Sequence, residues 1–169
     1  MENNNNEIKT LRERAQEEIM EALSKEIVFI DKFRDKYHFL SNMYECEIEY
    51  NGNTYHSSEA AFQAQKDLNG SHEFTFITNP VEAKHKGRTV KLRSDWEDVK
   101  LSIMEEIVRC KFTQNKELGE KLVETGNKIL VEGNDWNDTY WGVCNHKGYN
   151  HLGKILEKVR REIIKSKNI

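Results

Sequence analysis

At 169 residues the chain is long enough for one domain with a hydrophobic core and short for two. Its 37% hydrophobic and 33% charged residues suit a largely helical domain with solvated faces, and a net charge of -3 excludes a globally basic binder of nucleic acid or membrane. No apolar run approaches the length of a membrane span, and the opening MENNNNEIKT lacks a signal-peptide core, so a cytoplasmic protein is expected.

Residues 1–27 read as a polar Asn run followed by a charged helix, with Ile8, Leu11, Ala15, Ile19 and Leu23 at helical spacing. This appendage precedes a domain expected over residues 28–169. Ile27 to Phe33 is β-branched and aromatic, which predicts a strand. Cys46 to His56 alternates around Asn51-Gly52-Asn53, the turn chemistry of a hairpin. Ser57-Ser58-Glu59 offers an N-cap, and the Ala-rich run behind it predicts a helix toward Asn69-Gly70. Asn79-Pro80 opens a second helix, with Gly87 as its stop. Ser94 and Glu97 have capping-box spacing ahead of an apolar stripe through Val99, Ile103, Met104, Ile107, Val108 and Phe112. A fourth helix is expected over Lys116–Glu124, a short buried strand over Lys128–Glu132, and a closing amphipathic helix over Leu152–Ile164. The fold class is α+β, mainly helical: a single domain with a small sheet or hairpin and an added N-terminal helix.

The connection from Asn134 to Gly153 is long for a compact domain, and loops of that length are usually functional or disordered. Trp136, Tyr140, Trp141 and Tyr149 argue against disorder, because their faces would lie in water. Folded onto the body, with Asn and Asp presenting polar edges, the loop suits a flat polar heterocycle attached to a sugar. Trp141 reads equally well as a core plug beside a turn. Lys84, Lys86, Arg88, Lys91 and Arg93 form either a solvated basic face or a grip on one phosphate. Glu59 at a helix start gains from the helix dipole without any catalytic task, and Trp96 can serve as an ordinary anchor. The three cysteines, Cys46, Cys110 and Cys144, do not make a disulfide framework. Cys144, His146 and His151 invite a zinc reading, but no Cys-x-x-Cys or His-Glu-x-x-His pattern completes a site, and no metal is assigned.

The blocks FLSN (Phe39 to Asn42), SSEAAFQAQK (Ser57 to Lys66), NPVEAKHKGR (Asn79 to Arg88), DWEDVKLSIM (Asp95 to Met104), KFTQN (Lys111 to Asn115), LVE (Leu130 to Glu132), NDTYWG (Asn137 to Gly142) and GYNHLG (Gly148 to Gly153) occur in an order that resembles the YbiA-like, or NADAR, family. The resemblance spans about residues 28–165. Ala60 departs from it, since many members carry His after the Glu, and any role of that His is absent here.

The resemblance implies an N-glycosidase. Members hydrolyse the bond between a ribose carbon and an amine or base nitrogen, either in early riboflavin-pathway phosphoribosylaminopyrimidines or in ADP-ribose linked to guanine of nucleic acid. Glu59 and Trp96 match the family's active-site Glu and Trp. Cleavage of a ribosyl C–N bond builds positive charge at the anomeric carbon, which a fixed carboxylate stabilises. Glu59 also suits activation of water. Asp138 is the expected second carboxylate, with Asp135 its alternative and a further substrate contact. Asn42, Asn150 and Trp141 are expected to contact sugar or base, and Arg88 and Lys84 the phosphate. Lys66 offers a second route, attack on the ring-opened sugar to form an imine. Neither route calls for a cofactor. The partner is thus a small phosphoriboside or ADP-ribosyl substrate, with ADP-ribosylated nucleic acid as an extension. A non-catalytic nucleotide or ADP-ribose binding module is the alternative, and would not need Glu59 in a pocket with Trp96. A single-strand nucleic-acid module would prefer a continuous basic groove.

Overall fold

The structure is a computed structural model describing residues 28–67, 69 and 71–167, together with Gln16; the helix expected within residues 1–27 lies outside the described residues. The first strand is short. β1 covers only Phe29–Ile30 and pairs in parallel with β4, Ile129–Leu130. A 3-10 helix over Asp35–Leu40, not expected from the sequence, then turns the chain under the core with Phe39 and Leu40 buried.

The hairpin forms where its pattern predicts. β2 (Glu45–Tyr50) and β3 (Asn53–Ser57) pair antiparallel around Asn51-Gly52, whose φ angles of 50° and 75° are those of a primed two-residue turn. Between the Glu45–Ser57 and Ile48–Tyr55 pairs, two residues of β2 face one of β3, a bulge that bends the ribbon. β3 runs straight into α1, Ser58–Ala64, and Ser57 caps it by accepting from the Ala60 N–H at 3.1 Å. Every residue of α1 is buried. The helix stops well short of Asn69, because the Lys66 carbonyl leaves the helical path to accept from the Arg93 N–H at 2.8 Å.

A second 3-10 turn over Ser71–Phe76 leads to α2, Pro80–Lys86, capped by Asn79 as expected. α3, Trp96–Gln114, is the central helix; Ile103, Met104, Ile107, Val108 and Phe112 form its buried stripe. The expected Ser94–Glu97 capping box does not form. Asp95 occupies the cap position without a capping bond, its carboxylate drawn to the Arg93 guanidinium at 2.8 Å.

α4, Lys116–Glu124, and α5, His151–Lys167, pack on each other and on α3 through Leu118, Leu122, Leu156, Val159 and Ile163. β5 (Gly133–Asn134) and β6 (Val143–Cys144) make a second short parallel pair that ties the start of the aromatic loop to its middle. The described residues thus form one α+β unit, about half helical, with a shared core. Among them, no helix is long and apolar enough to cross a membrane.

Candidate active site

A cavity of about 480 Å³ opens between α1, α2, the N-terminal half of α3 and the aromatic loop. The volume lies in the range of small-molecule sites. Glu59, Gln63, Lys66, Lys84 and Trp96 line one side; Glu132, Trp136, Asp138, Tyr140 and Trp141 line the other, and Asn42 completes the floor.

Glu59 owes its place to the strand-to-helix junction. Ser57 ends β3 and caps α1, so Glu59 falls in the first turn, where its own N–H donates to the Asn42 carbonyl at 3.0 Å. Only 7% of the residue is exposed, and its Oε1 accepts from Gln63 Nε2 at 2.8 Å. Burial pushes its carboxyl above the usual range, while the Gln63 hydrogen bond and the cations of Lys84, Lys66 and Arg88 pull it back.

Lys66 sits just beyond α1. Its ammonium lies 5.8 Å from the Trp96 ring centroid and 3.4 Å from the Gly87 carbonyl. Burial lowers its pKa, opposed by Glu59 and reinforced by Arg88 and Lys84. Lys84 stands on α2 with its Nζ 6.0 Å from the Trp136 ring. Trp96 is buried; Phe62 bridges it to Trp141, with ring centroids 5.0 and 5.4 Å away respectively. Asn42 is buried too, its amide donating to Met104 Sδ at 3.2 Å.

The loop's Asn richness has a structural use. Asn134 accepts from the Asp138 N–H at 3.0 Å and donates to the Asp138 carbonyl at 2.7 Å. Asn137, Asn145 and Asn150 have positive φ, which Asn tolerates better than most residues. Asp138 lines the cavity, yet its Oδ1 is taken by the N–H groups of Tyr140 and Trp141 at 3.1 and 2.9 Å. One carboxylate oxygen thus shapes the loop that carries the tryptophan.

Three expected contacts lie elsewhere. Asn150 does not line the cavity: its Oδ1 accepts from the Glu132 N–H at 3.1 Å and its Nδ2 donates to the Leu130 carbonyl at 2.9 Å, so its amide is spent on the backbone. Arg88 is exposed past the end of α2 and acts on the cavity only through its charge at Glu59 and Lys66. Asp135 is exposed and outside the lining, because the turn after β5 directs Trp136 and Asp138 inward instead. Cys144 is buried with Sγ 3.8 Å from Asn137 Oδ1, His146 is exposed, and His151 stacks on Tyr149.

Glu132 is the residue sequence reasoning passed over. It closes the LVE block and follows β4 by two positions, at the carboxyl end of a parallel strand pair, where α/β folds place ligands. Burial first, then the Asp138 carboxylate, push its carboxyl up to about 7 against the opposing charges of Lys84 and Lys111. Arg34, His38 and Lys100 line the cavity as well, and the Lys100 ammonium lies 4.0 Å from the Tyr140 ring.

Acidic groups in contrasting surroundings, a desolvated lysine and aromatic walls make this the site of an enzyme acting on a small molecule. The chain belongs to the NADAR domain family, which matches residues 28–164. It is 38% identical over 134 residues to the N-glycosidase YbiA of Escherichia coli, covering 76% of this chain and 83% of that protein. The NMR structure of E. coli YbiA superposes with a TM-score of 0.74 at 36% identity, over 83% of this chain and 86% of that one. An N-glycosidase of Nostoc punctiforme is 37% identical over 145 residues, 80% of this chain and 92% of that protein. A riboflavin biosynthesis protein of Vibrio vulnificus is 36% identical over 130 residues, 74% of this chain but 35% of that longer protein.

Proposed function

We propose that this chain is an N-glycosidase that hydrolyses the bond between C1′ of a phosphate-bearing ribose and the nitrogen of a heterocycle or its amine. Phosphoribosylaminopyrimidine intermediates of riboflavin biosynthesis are the favoured substrates. The observation that carries this reading is Glu59: a buried carboxylate, held by Gln63, facing a cavity walled by Trp96 and Trp141. The relatives named as N-glycosidases and as a riboflavin biosynthesis protein support it. A cavity of about 480 Å³ is of the size expected for one phosphoriboside with its base, which supports the smaller substrate.

In this reading the heterocycle lies against the aromatic wall of Trp96, Phe62 and Trp141, and Lys84 with Arg34 holds the phosphate. The outer oxygen of Asp138 accepts from a ribose hydroxyl, and Asn42 lies beneath the sugar. Glu59 takes a proton from the attacking water and opposes the positive charge that grows at C1′.

One observation favours a second route. Lys66 reaches the cavity half-buried, with a lowered pKa and no carboxylate within ion-pair distance among the described residues, so its amine is suited to attack a ring-opened sugar. Borohydride added during turnover traps a ribosyl adduct on Lys66 in this route and none in direct hydrolysis.

The test of the activity is chromatographic. Wild type is expected to release ribose 5-phosphate from a phosphoribosylaminopyrimidine, and Glu59→Gln to do so at least about 10²-fold more slowly. Guanine-ADP-ribosylated DNA run in parallel assigns the substrate branch. Equal binding by both proteins without cleavage of either substrate would replace this reading by a non-catalytic nucleotide-binding module.

A further inference from the structure

The cavity holds another carboxylate with no task in the steps above. Glu132 is clamped by its backbone: its N–H donates to Asn150 Oδ1 at 3.1 Å and its carbonyl accepts from the Val143 N–H at 2.9 Å. Gly142 lies so close that a Cβ there would sit 2.2 Å from the Glu132 carbonyl oxygen and 3.0 Å from its Cγ. The residue therefore sits rigidly at the cavity wall. Its Oε2 is enclosed and has no hydrogen-bond partner among the described residues. An enclosed carboxyl oxygen without a donor is costly as an anion and far less so when it carries a proton.

The surroundings of the two glutamates differ in the way that separates acid from base. Glu59 receives a hydrogen bond from Gln63 and faces Lys84 and Lys66. Glu132 faces Asp138 from the loop and Glu59 from α1, with Lys84 of α2 and Lys111 of α3 opposing them. Pairs of acidic groups with environments that diverge in this way divide the two proton tasks of a reaction between them.

The geometry points to Glu132 as the general acid of the glycosidase reaction proposed above: with Oε2 enclosed, the proton is carried on the other carboxyl oxygen, on the side that lines the cavity, and passes from there to the departing nitrogen. This assignment rests on that reading. As the water oxygen bonds to C1′, Glu59 takes the water proton. The C1′–N bond breaks with its electron pair moving onto nitrogen, and nitrogen accepts the Glu132 proton. Glu59 ends protonated and Glu132 ionised, and exchange with solvent restores both. In the lysine route the same proton goes to the same nitrogen.

Two substrates that share ribose 5-phosphate and differ in leaving group test the role. A phosphoribosylaminopyrimidine needs a proton on its nitrogen, whereas the p-nitrophenyl riboside 5-phosphate releases a stable phenolate without one. Glu132→Gln is expected to lose roughly 10²–10⁴-fold in kcat on the first, at little change in KM, and to stay within a few-fold of wild type on the second. Glu132→Asp, which keeps the acid, recovers part of the loss. Wild type alone carries the same signature: kcat/KM falls with rising pH near neutrality for the aminopyrimidine and not for the nitrophenyl substrate. A shift of that profile in Glu132→Asp ties it to this side chain even if Glu132→Gln does not fold, and an unshifted profile would overturn the assignment. Equal losses on both substrates, or an unchanged kcat on the aminopyrimidine, would overturn the assignment while leaving the glycosidase intact. A wild type inactive on both substrates would overturn the two together.

Discussion

Gly87 ends α2 with a φ of -62°, a conformation open to any residue. What requires glycine is Gln63, since a Cβ on Gly87 would lie 1.9 Å from its Oε1 and 2.6 Å from its Cδ. Gln63 in turn holds Glu59. Gly87→Ala is expected to cost about 1–3 kcal/mol in denaturant unfolding by overpacking, and to lower kcat by up to about 10²-fold as Gln63 swings off the carboxylate. Adding Gln63→Ala removes the two closest contacts and leaves its Cβ at 2.9 Å, so the double variant regains part of the stability and none of the rate; a double variant that regains the rate would break the link between Gly87 and Glu59. At this scale the sequence was informative where a motif coincided with a cavity wall. Glu59, Trp96, Lys66, Lys84, Asn42, Trp141 and Asp138 all line one cavity. Asn150 does not, because an Asn side chain can satisfy a ligand or a bare strand end, and composition cannot tell which. Glu132 was hidden for the converse reason: Leu130-Val131-Glu132 reads as the end of a buried strand.

The elements were legible where a local chemical rule governs them. The Asn51-Gly52 turn, the caps at Ser57 and Asn79, and the buried stripe of α3 all follow from interactions within a few residues. Gly52 offers a clean check, because φ is +75° and a Cβ added there would have no atom within 4 Å. Gly52→Ala is therefore expected to cost about 1–2 kcal/mol by backbone strain alone, measured by denaturant unfolding, with kcat unchanged because the hairpin tip is remote from the cavity. The expectations that failed depended on distant partners. α1 stops early because Arg93, far along the chain, claims the Lys66 carbonyl, and the Ser94–Glu97 box yields to an Arg93–Asp95 ion pair. The strands β1, β4, β5 and β6 have two residues each, too few for any periodicity.

At the scale of the whole molecule, Lys111 joins the helical half to the site. It is 1% exposed on α3, and its Nζ donates to the Ser41 carbonyl at 2.8 Å, next to the residue whose carbonyl receives the Glu59 N–H. Burial pulls its pKa from 10.5 down to about 8, with Cys46 and Glu132 opposing. Between those values the unfolded chain binds the proton that the folded one has released, so stability rises with pH. Wild type is expected to gain on the order of 2–4 kcal/mol relative to Lys111→Met between about pH 8 and 10.5, read from paired denaturation curves. A constant difference across that range would show that the amine titrates alike in both states.

The sequence by itself determined the class of the fold, the hairpin, the caps of α1 and α2, the family and seven of the residues that line the cavity, because each rests on short-range chemistry or on an ordered set of motifs. Only the tertiary structure decided which polar groups face the cavity and which are consumed holding it up. Asn150 and the inner oxygen of Asp138 brace backbone, while Glu132 keeps an enclosed oxygen free of partners among the described residues. A carboxyl group's proton affinity is set by what surrounds it in three dimensions, and for Glu132 those neighbours come from α1, α2, α3 and the aromatic loop at once.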